Sequence, residues 1–392
     1  MTDSAARPAI PAARYGERLG AARERAIAAG LDALLVGVGA DLRYLTGYDA
    51  MPLERLTMLV LPAGGSPTLV APRLEAAPAR ACPAAAAGIV GVATWEETAD
   101  PVALVADLVA SSPVRTTGRL DAVAVSDRLW ASFVLAIQAA LPGAHLSLAS
   151  AVLGELRMVK DADEVALLRA AARAADRVID QVAAGRLVGR TEAAVSREVR
   201  ERLVAEGHDA ASFAIVGSGP DSASPHHAAS ARVIEAGEPI VLDIGGSLAG
   251  YGSDITRTIW VTGGDPGRGP DAAFRALYDT LQGAQAAATA VVRPGVPAER
   301  IDSVARDLIE AAGHGPHFIH RTGHGIGLEE HEPPYIVAGD RTPLRPGMAF
   351  SVEPGIYLEG RYGARIEDIV VCGPDGPLVL NEASRDLRVV PG

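Results

Sequence analysis

Two stretches of this 392-residue chain read as strand, turn and strand with a carboxylate on each arm, and they restrict its architecture more than any other feature. The first is PIVLDIGGSLAGYGSDITRTIWV. Folded between Leu248 and Ala249, inside the polar and glycine-rich GGSLAGYG, it sets Asp243 opposite Asp254. The second is FSVEPGIYLEGRYGARIEDIVV, which folded about Gly360 sets Glu353 opposite Glu367. Directly opposed strand residues have Cβ atoms roughly 4.5–5.5 Å apart. That suits a pair of cations about 3.5–4 Å apart, the spacing of dinuclear hydrolase sites. Four carboxylates in apolar surroundings repel one another, and cations are their natural neutraliser.

Histidines gather around the same part of the chain: eight of the nine lie between His208 and His331. In HGPHFIHRTGHGIGLEEHEPPY, His324 stands between two glycines, whose missing side chains let the backbone approach a ligand closely. A lone histidine is ordinarily a surface or satisfied core residue; beside two carboxylate pairs, His324 reads as a fifth ligand. Oxygen-rich donors with one imidazole suit Mn²⁺, Co²⁺, Fe²⁺ or Zn²⁺. Two-metal hydrolysis also needs groups that polarise a carbonyl and move protons, and His331 and His226 are the candidates. His227 reads as structural or solvent-facing, and His314 and His317 as loop residues. Asp221 and Asp265 lie in turn sequences, Asp302 and Asp307 read as solvated helix positions, and GSGPDSASP lacks the GK[ST] of a phosphate loop.

Each carboxylate segment follows helical sequence. From about residue 155, Val165, Leu168, Ala172, Ala175, Ile179 and Val182 fall at helical spacing, and TEAAVSREVRERLVAEG follows from the N-cap candidate Thr191. PDAAFRALYDTLQGAQAAATAVV and PAERIDSVARDLIEAAG then precede the second segment, each with proline near its start. This repeated order, helices then a carboxylate-bearing strand pair, reads as a faint duplication in an α+β domain over 154–392. Residues 1–153 alternate helical and strand-like segments, with a hairpin signal in LTMLVLPAGGSPTLVAP, and read as an α/β packing or capping domain.

Composition closes off other classes. A net charge of −12 argues against a nucleic-acid surface or an anionic membrane surface. Cys82 and Cys372 make neither a disulfide framework nor a CxxC zinc motif, which points to the cytoplasm. The N-terminal sequence has no apolar stretch like that of a signal peptide, and no run reaches the roughly 18 apolar residues of a membrane helix.

The run from Pro225-His226 through DIGG, GYGSDITRT, TGHGIGLEEHE, SVEPGIY and ARIED resembles the pita-bread metallopeptidases, in the branch of Xaa-Pro aminopeptidases and Xaa-Pro dipeptidases (prolidases). The resemblance covers essentially the whole chain, with DLRYLTGYD similar to the creatinase/prolidase N-terminal domain. It implies a curved antiparallel sheet in the C-terminal domain and two divalent ions, with Mn²⁺ foremost. Asp243 would chelate one ion, His324 and Glu353 the other, and Asp254 and Glu367 would bridge. His226 and His331 would contact the substrate near the scissile bond, His320 would line the pocket, Arg365 would support the ligands, and Glu353 would take a proton from the attacking water. The implied reaction removes an N-terminal residue preceding proline from a short peptide, by attack of a metal-bound hydroxide. A homodimer is also implied. Relatives that hydrolyse non-peptide C–N bonds and non-catalytic scaffolds share the fold; the latter would lack ligands, and none is missing here. Dipeptide specialists need a cation for the substrate's carboxylate, for which Arg341 and Arg345 are candidates.

Overall fold

The computed structural model describes residues 8–114 and 122–392, which fall into two compact units, Ile10–Arg157, and Met158–Gly392 with residues 8–9. The part of the N-terminal reading that concerns residues 1–7 lies outside the described residues. No helix among the described residues is long and apolar enough to cross a membrane.

The first unit is built on a six-stranded sheet, in the order Gly91–Trp95, Thr68–Pro72, Met58–Pro62, Ala33–Gly37, Ala122–Val125, His145–Leu148. The central hairpin, Met58–Pro62 with Thr68–Pro72, is antiparallel, as its Ala-Gly-Gly-Ser turn predicts. The outer pairs are parallel, and the helix Ala131–Ala140 makes the crossover between the last two strands. Leu35, Met58, Val60, Val70, Val105, Val123 and Ile137 form its core.

The second unit repeats one arrangement twice. Helices Ala162–Ala183 and Glu192–Ala205 precede the antiparallel strands Ala210–Ser218, Glu238–Leu248 and Tyr251–Val261. Helices Ala272–Ala290 and Ala298–Ala311 precede Gly323–Gly325, Ala349–Val352 and Asp368–Cys372, again neighbours in that order and antiparallel. The first helix opens with a capping box between Asp161 and Glu164, which breaks a run that reads as continuous in sequence. The second opens on the expected cap, with Thr191 accepting from the Ala194 N–H.

Alternation along the strands decides which face carries chemistry. Leu242, Ile244, Ile255 and Ile259 pack against Val178, Ile179 and Val199 of the first helix pair. Val352, Ile366 and Val370 join Phe274, Leu281 and Ile301 of the second. Successive strand side chains point to opposite faces. Asp243, Asp254, Thr256, Glu353 and Glu367 therefore look away from the helices.

The register of the second pair is the predicted one. Gly355 pairs with Arg365 and Val352 with Asp368, so both ladders centre on Gly360 and leave Glu353 across from Glu367. The first pair differs from expectation. Leu248 pairs with Tyr251, so the loop is only Ala249-Gly250, and Asp243 opposes Thr256 while Asp254 opposes Gly245. Both turn residues have positive φ, 51° and 87°, as a two-residue hairpin turn requires. This tight turn moves the fold point by one residue. Because the resulting offset is two positions, both aspartates stay on one face.

Candidate metal centre

Thr256 is the geometric middle of the site. It faces Asp243 on one side and is bridged to Glu367 on the other, and its hydroxyl donates to Glu367 Oε2 at 2.7 Å. Asp254 lies two residues along the same strand. Ligand atoms of Asp254, His324 and Glu367 all fall within 4.8 Å of one another, and His324 Nε2 is 3.2 Å from Glu353 Oε1 and 3.6 Å from Asp254 Oδ2. Asp243 closes the group from beside Arg365, whose guanidinium holds its Oδ2. All five lie on the wall of one cavity of about 770 Å³.

The ring of His324 is oriented by its backbone. A carbonyl only accepts, so Nδ1 carries the proton that goes to Gly325 O at 3.1 Å, and the Nε2 lone pair faces the carboxylates. Its glycine neighbours are needed for space rather than for an unusual φ. A Cβ on Gly323 would sit 1.9 Å from Ser351 O, and one on Gly325 would sit 2.4 Å from Glu332 O. Gly323→Ala should destabilise the fold by about 3 kcal/mol or more, the upper part of the overpacking range. Urea unfolding measures this, and an unchanged midpoint would contradict the close packing.

Electrostatics explain why the basin is poised for cations. Burial, and then the neighbouring Glu367, Asp243 and Glu353, push the Asp254 carboxyl far above its ordinary range. Burial with Glu353 and Asp243 does the same to Glu367. Burial also lifts Glu353 to about 7, with Asp243 adding to it and Arg365 and the Ser351 hydroxyl opposing. Burial, reinforced by His331, lowers His324 to about 3. Asp243 Oδ1, Asp254 Oδ1 and Glu367 Oε1 are buried without a hydrogen-bond partner among the described residues. Orphaned buried carboxylate oxygens are costly unless something positive satisfies them. The donor set thus fits divalent cations.

The remaining predicted residues fall around this basin. His331 has its ring centroid 4.0 Å from that of His324, and burial, with Arg321 nearby, favours its neutral form. His226 lines the cavity from a turn before the Asp243 strand. His320 also lines it, but both ring nitrogens are engaged, with Arg321 O at 2.7 Å and Tyr357 OH at 2.9 Å. Burial, with Arg365 next, holds it at about 4. Arg365 is the hub. Beyond Asp243 it donates to Thr256 Oγ1 at 3.0 Å, Tyr357 OH at 2.9 Å and Pro225 O at 3.2 Å.

Three readings need correction or addition. Asp302 is not solvated; it is 1% exposed, pairs with Arg306, and accepts from Thr322 N at 3.1 Å and Oγ1 at 2.7 Å, anchoring the strand that carries His324. Its i,i+4 spacing from Arg306 signals the ion pair but not the burial. Arg341 and Arg345 do not line the cavity; Arg341 is exposed beside Glu299. Arg321 lines it instead, stacked over the Tyr335 ring at 4.5 Å. Tyr357 and Thr256 were also unread, as nothing local marks them.

A buried carboxylate and imidazole basin opening into a deep cavity defines a metal-dependent hydrolase. The chain belongs to the metallopeptidase family M24, which residues 166–374 match, while residues 18–159 match the creatinase/prolidase N-terminal domain. It is similar to the crystal structure of dipeptidase PepE from Mycobacterium ulcerans, at 47% identity and a TM-score of 0.89, covering 99% of this chain and 100% of that one. Prolidase from Thermococcus sibiricus is 34% identical, with a TM-score of 0.86 over 96% of this chain and 99% of that one. Xaa-Pro dipeptidase of Lactobacillus delbrueckii subsp. lactis is 33% identical over 365 residues, 92% of this chain and 96% of that protein. The architecture is the two-domain creatinase-like one, with a pita-bread domain after the N-terminal domain, and the protein is a metallo-exopeptidase.

Proposed function

We propose that this chain is a dinuclear-metal dipeptidase that cleaves the bond between an N-terminal residue and a following proline. The observation that carries the reading is the convergence of Asp243, Asp254, His324, Glu353 and Glu367, with three orphaned carboxylate oxygens, in one buried basin. Those five residues would hold two ions, Asp243 on one side, His324 and Glu353 on the other, and Asp254 and Glu367 shared. Mn²⁺ is the ion we assign, and Co²⁺, Zn²⁺ and Fe²⁺ suit the same donors. Bound there, the ions would supply Lewis acidity and make water a nucleophile near neutral pH.

The chain's own residues complete the chemistry. Glu353 would accept the proton of the attacking water. His226 and His331, on the cavity wall, would hydrogen-bond the scissile carbonyl and pass a proton to the departing proline nitrogen. Phe213, Ile215 and Ile319 give the cavity apolar wall for a pyrrolidine ring. The relatives named as Xaa-Pro dipeptidase and prolidase support the proline preference. Buried free thiols at Cys82 and Cys372 support a reducing, cytoplasmic setting, and the family resemblance supports a homodimer.

Arg321 favours the dipeptidase form over an aminopeptidase. It is a cation on the cavity wall that has no carboxylate partner among the described residues, which suits the free carboxylate of a dipeptide. With Mn²⁺ present, Xaa-Pro dipeptides should be hydrolysed well and their C-terminal amides poorly. Arg321→Met should raise KM for the dipeptide roughly ten- to hundredfold, the worth of one charge-assisted hydrogen bond, and leave the amide unaffected. Equal turnover of acid and amide would point to an aminopeptidase. No turnover of any Xaa-Pro substrate by metal-loaded protein would remove the proposal.

A further inference from the structure

The turn that delivers His226 to the cavity is held through both of its chain neighbours. On one side, Pro225 O accepts from Arg365 Nη1 at 3.2 Å, and Arg365 is the group that also grips Asp243. On the other, His227 Nε2 donates to Glu192 Oε2 at 2.7 Å. Glu192 is fully buried in the first turn of its helix, a position where the helix end favours a negative charge. It also accepts from Ser218 N and Oγ at 2.8 and 2.7 Å, and from Ser230 N and Oγ at 3.1 and 2.8 Å. Ser218 ends the strand before the loop, and Ser230 lies within it, three residues past His227. One carboxylate therefore ties the start of the loop to its middle and fixes a point next to His226.

Glu192, Asp221 and His227 offer ligand atoms within 4.8 Å of one another. Even so, the Glu192 oxygens already take five hydrogen bonds. A carboxylate so fully satisfied does not need a cation. Its arrangement is that of a clamp.

We propose that Glu192 is a positioning residue for hydrolysis: through His227 it sets the imidazole of His226 against the substrate. This rests on the placement of His226 at the scissile bond given above. A displacement of about 1 Å in such a group costs about a hundredfold in rate, so loosening the clamp should act on turnover and spare the ions.

A double-mutant cycle on the Mn²⁺-loaded full chain, with an Xaa-Pro dipeptide as substrate, tests the coupling. Glu192→Gln should lower kcat about ten- to hundredfold, with metal content and KM nearly unchanged. In a His226→Ala background, the same substitution should change kcat no further. A purely structural role would lower kcat by the same factor in both backgrounds, and that result would overturn the proposal, as would full activity of Glu192→Gln beside an impaired His226→Ala. If His226→Ala is itself fully active, the role assigned to His226 fails, and the clamp loses its purpose with it. Should Glu192→Gln not fold, the cycle is run from the other partner. There His227→Ala should lower kcat, and His227→Gln, whose amide can donate to Glu192, should restore it; equal activity of the two would overturn the proposal.

Discussion

Replacing Asp254 by alanine should remove bound metal and hydrolytic activity together. Asp254 sits where the ligand atoms are densest, within 4.8 Å of those of His324 and Glu367, and it has one oxygen without a partner among the described residues. On the assignment proposed above, losing it would deprive a cation pair of a shared anion, and the remaining carboxylates would be kept from moving in because each is fixed by its own strand. Metal Lewis acidity contributes several kcal/mol to such a transition state. At about 1.4 kcal/mol per factor of ten, the expected fall in kcat/KM is about a thousandfold or more. Elemental analysis of the purified variant beside steady-state kinetics makes the check. A variant that keeps its full metal complement would remove Asp254 from the bridging position.

The metal-free protein should lose stability as pH rises above about 6.5, and divalent cations should reverse the loss. The sign follows from the direction of the shifts. Burial and mutual repulsion raise the carboxyls of Asp254, Glu353 and Glu367 in the folded chain, so the folded state binds more protons than the unfolded one. Their contribution is fully present below the unfolded values and disappears as pH climbs through the folded ones. For Glu353 that window runs from its ordinary value of 4.5 to about 7. At about 1.4 kcal/mol per pH unit, this residue alone accounts for about 3 kcal/mol. His324 and His320, held at about 3 and about 4, act in the opposite sense up to their ordinary 6.5, so thermal unfolding of the chelator-treated protein should show Tm falling above about pH 6.5, where the carboxyls are left to act alone. Saturating Mn²⁺ should flatten the dependence and add about 4 kcal/mol when present at a thousand times its Kd. A metal-free Tm that stays level or rises above about pH 6.5 would mean that the carboxylates are not crowded in the way described.

Much of the metal centre was legible in sequence because symmetry about a turn is a local property. Glu353 and Glu367 could be paired across Gly360 by spacing alone, and the ladders on either side keep that register. The same reasoning slipped at Asp243 and Asp254, because Gly245 through Gly252 reads as a loose loop while its strands run on to Leu248 and Tyr251. Long-range partners were not legible. Arg365 meets Asp243 across 122 positions, and Thr256 meets Glu367 across 111. Glu192 gave no signal as a helical residue, since its partners Ser218, His227 and Ser230 lie at the end of a strand and in the loop that follows it. Asp302 was misread because an acidic residue on a helix is usually solvated, and only the packing of the next strand shows which face it occupies.

The donor set is divided between the two repeated arrangements of the larger unit. Asp243 and Asp254 belong to the first; His324, Glu353 and Glu367 belong to the second. The chain passes between them along an exposed stretch, residues 263–268. Neither repeat could retain the cations by itself, so whatever affinity the complete set has for metal is also a force drawing the repeats together. A cell poor in the right ion would on this account be left with a looser enzyme as well as a slower one.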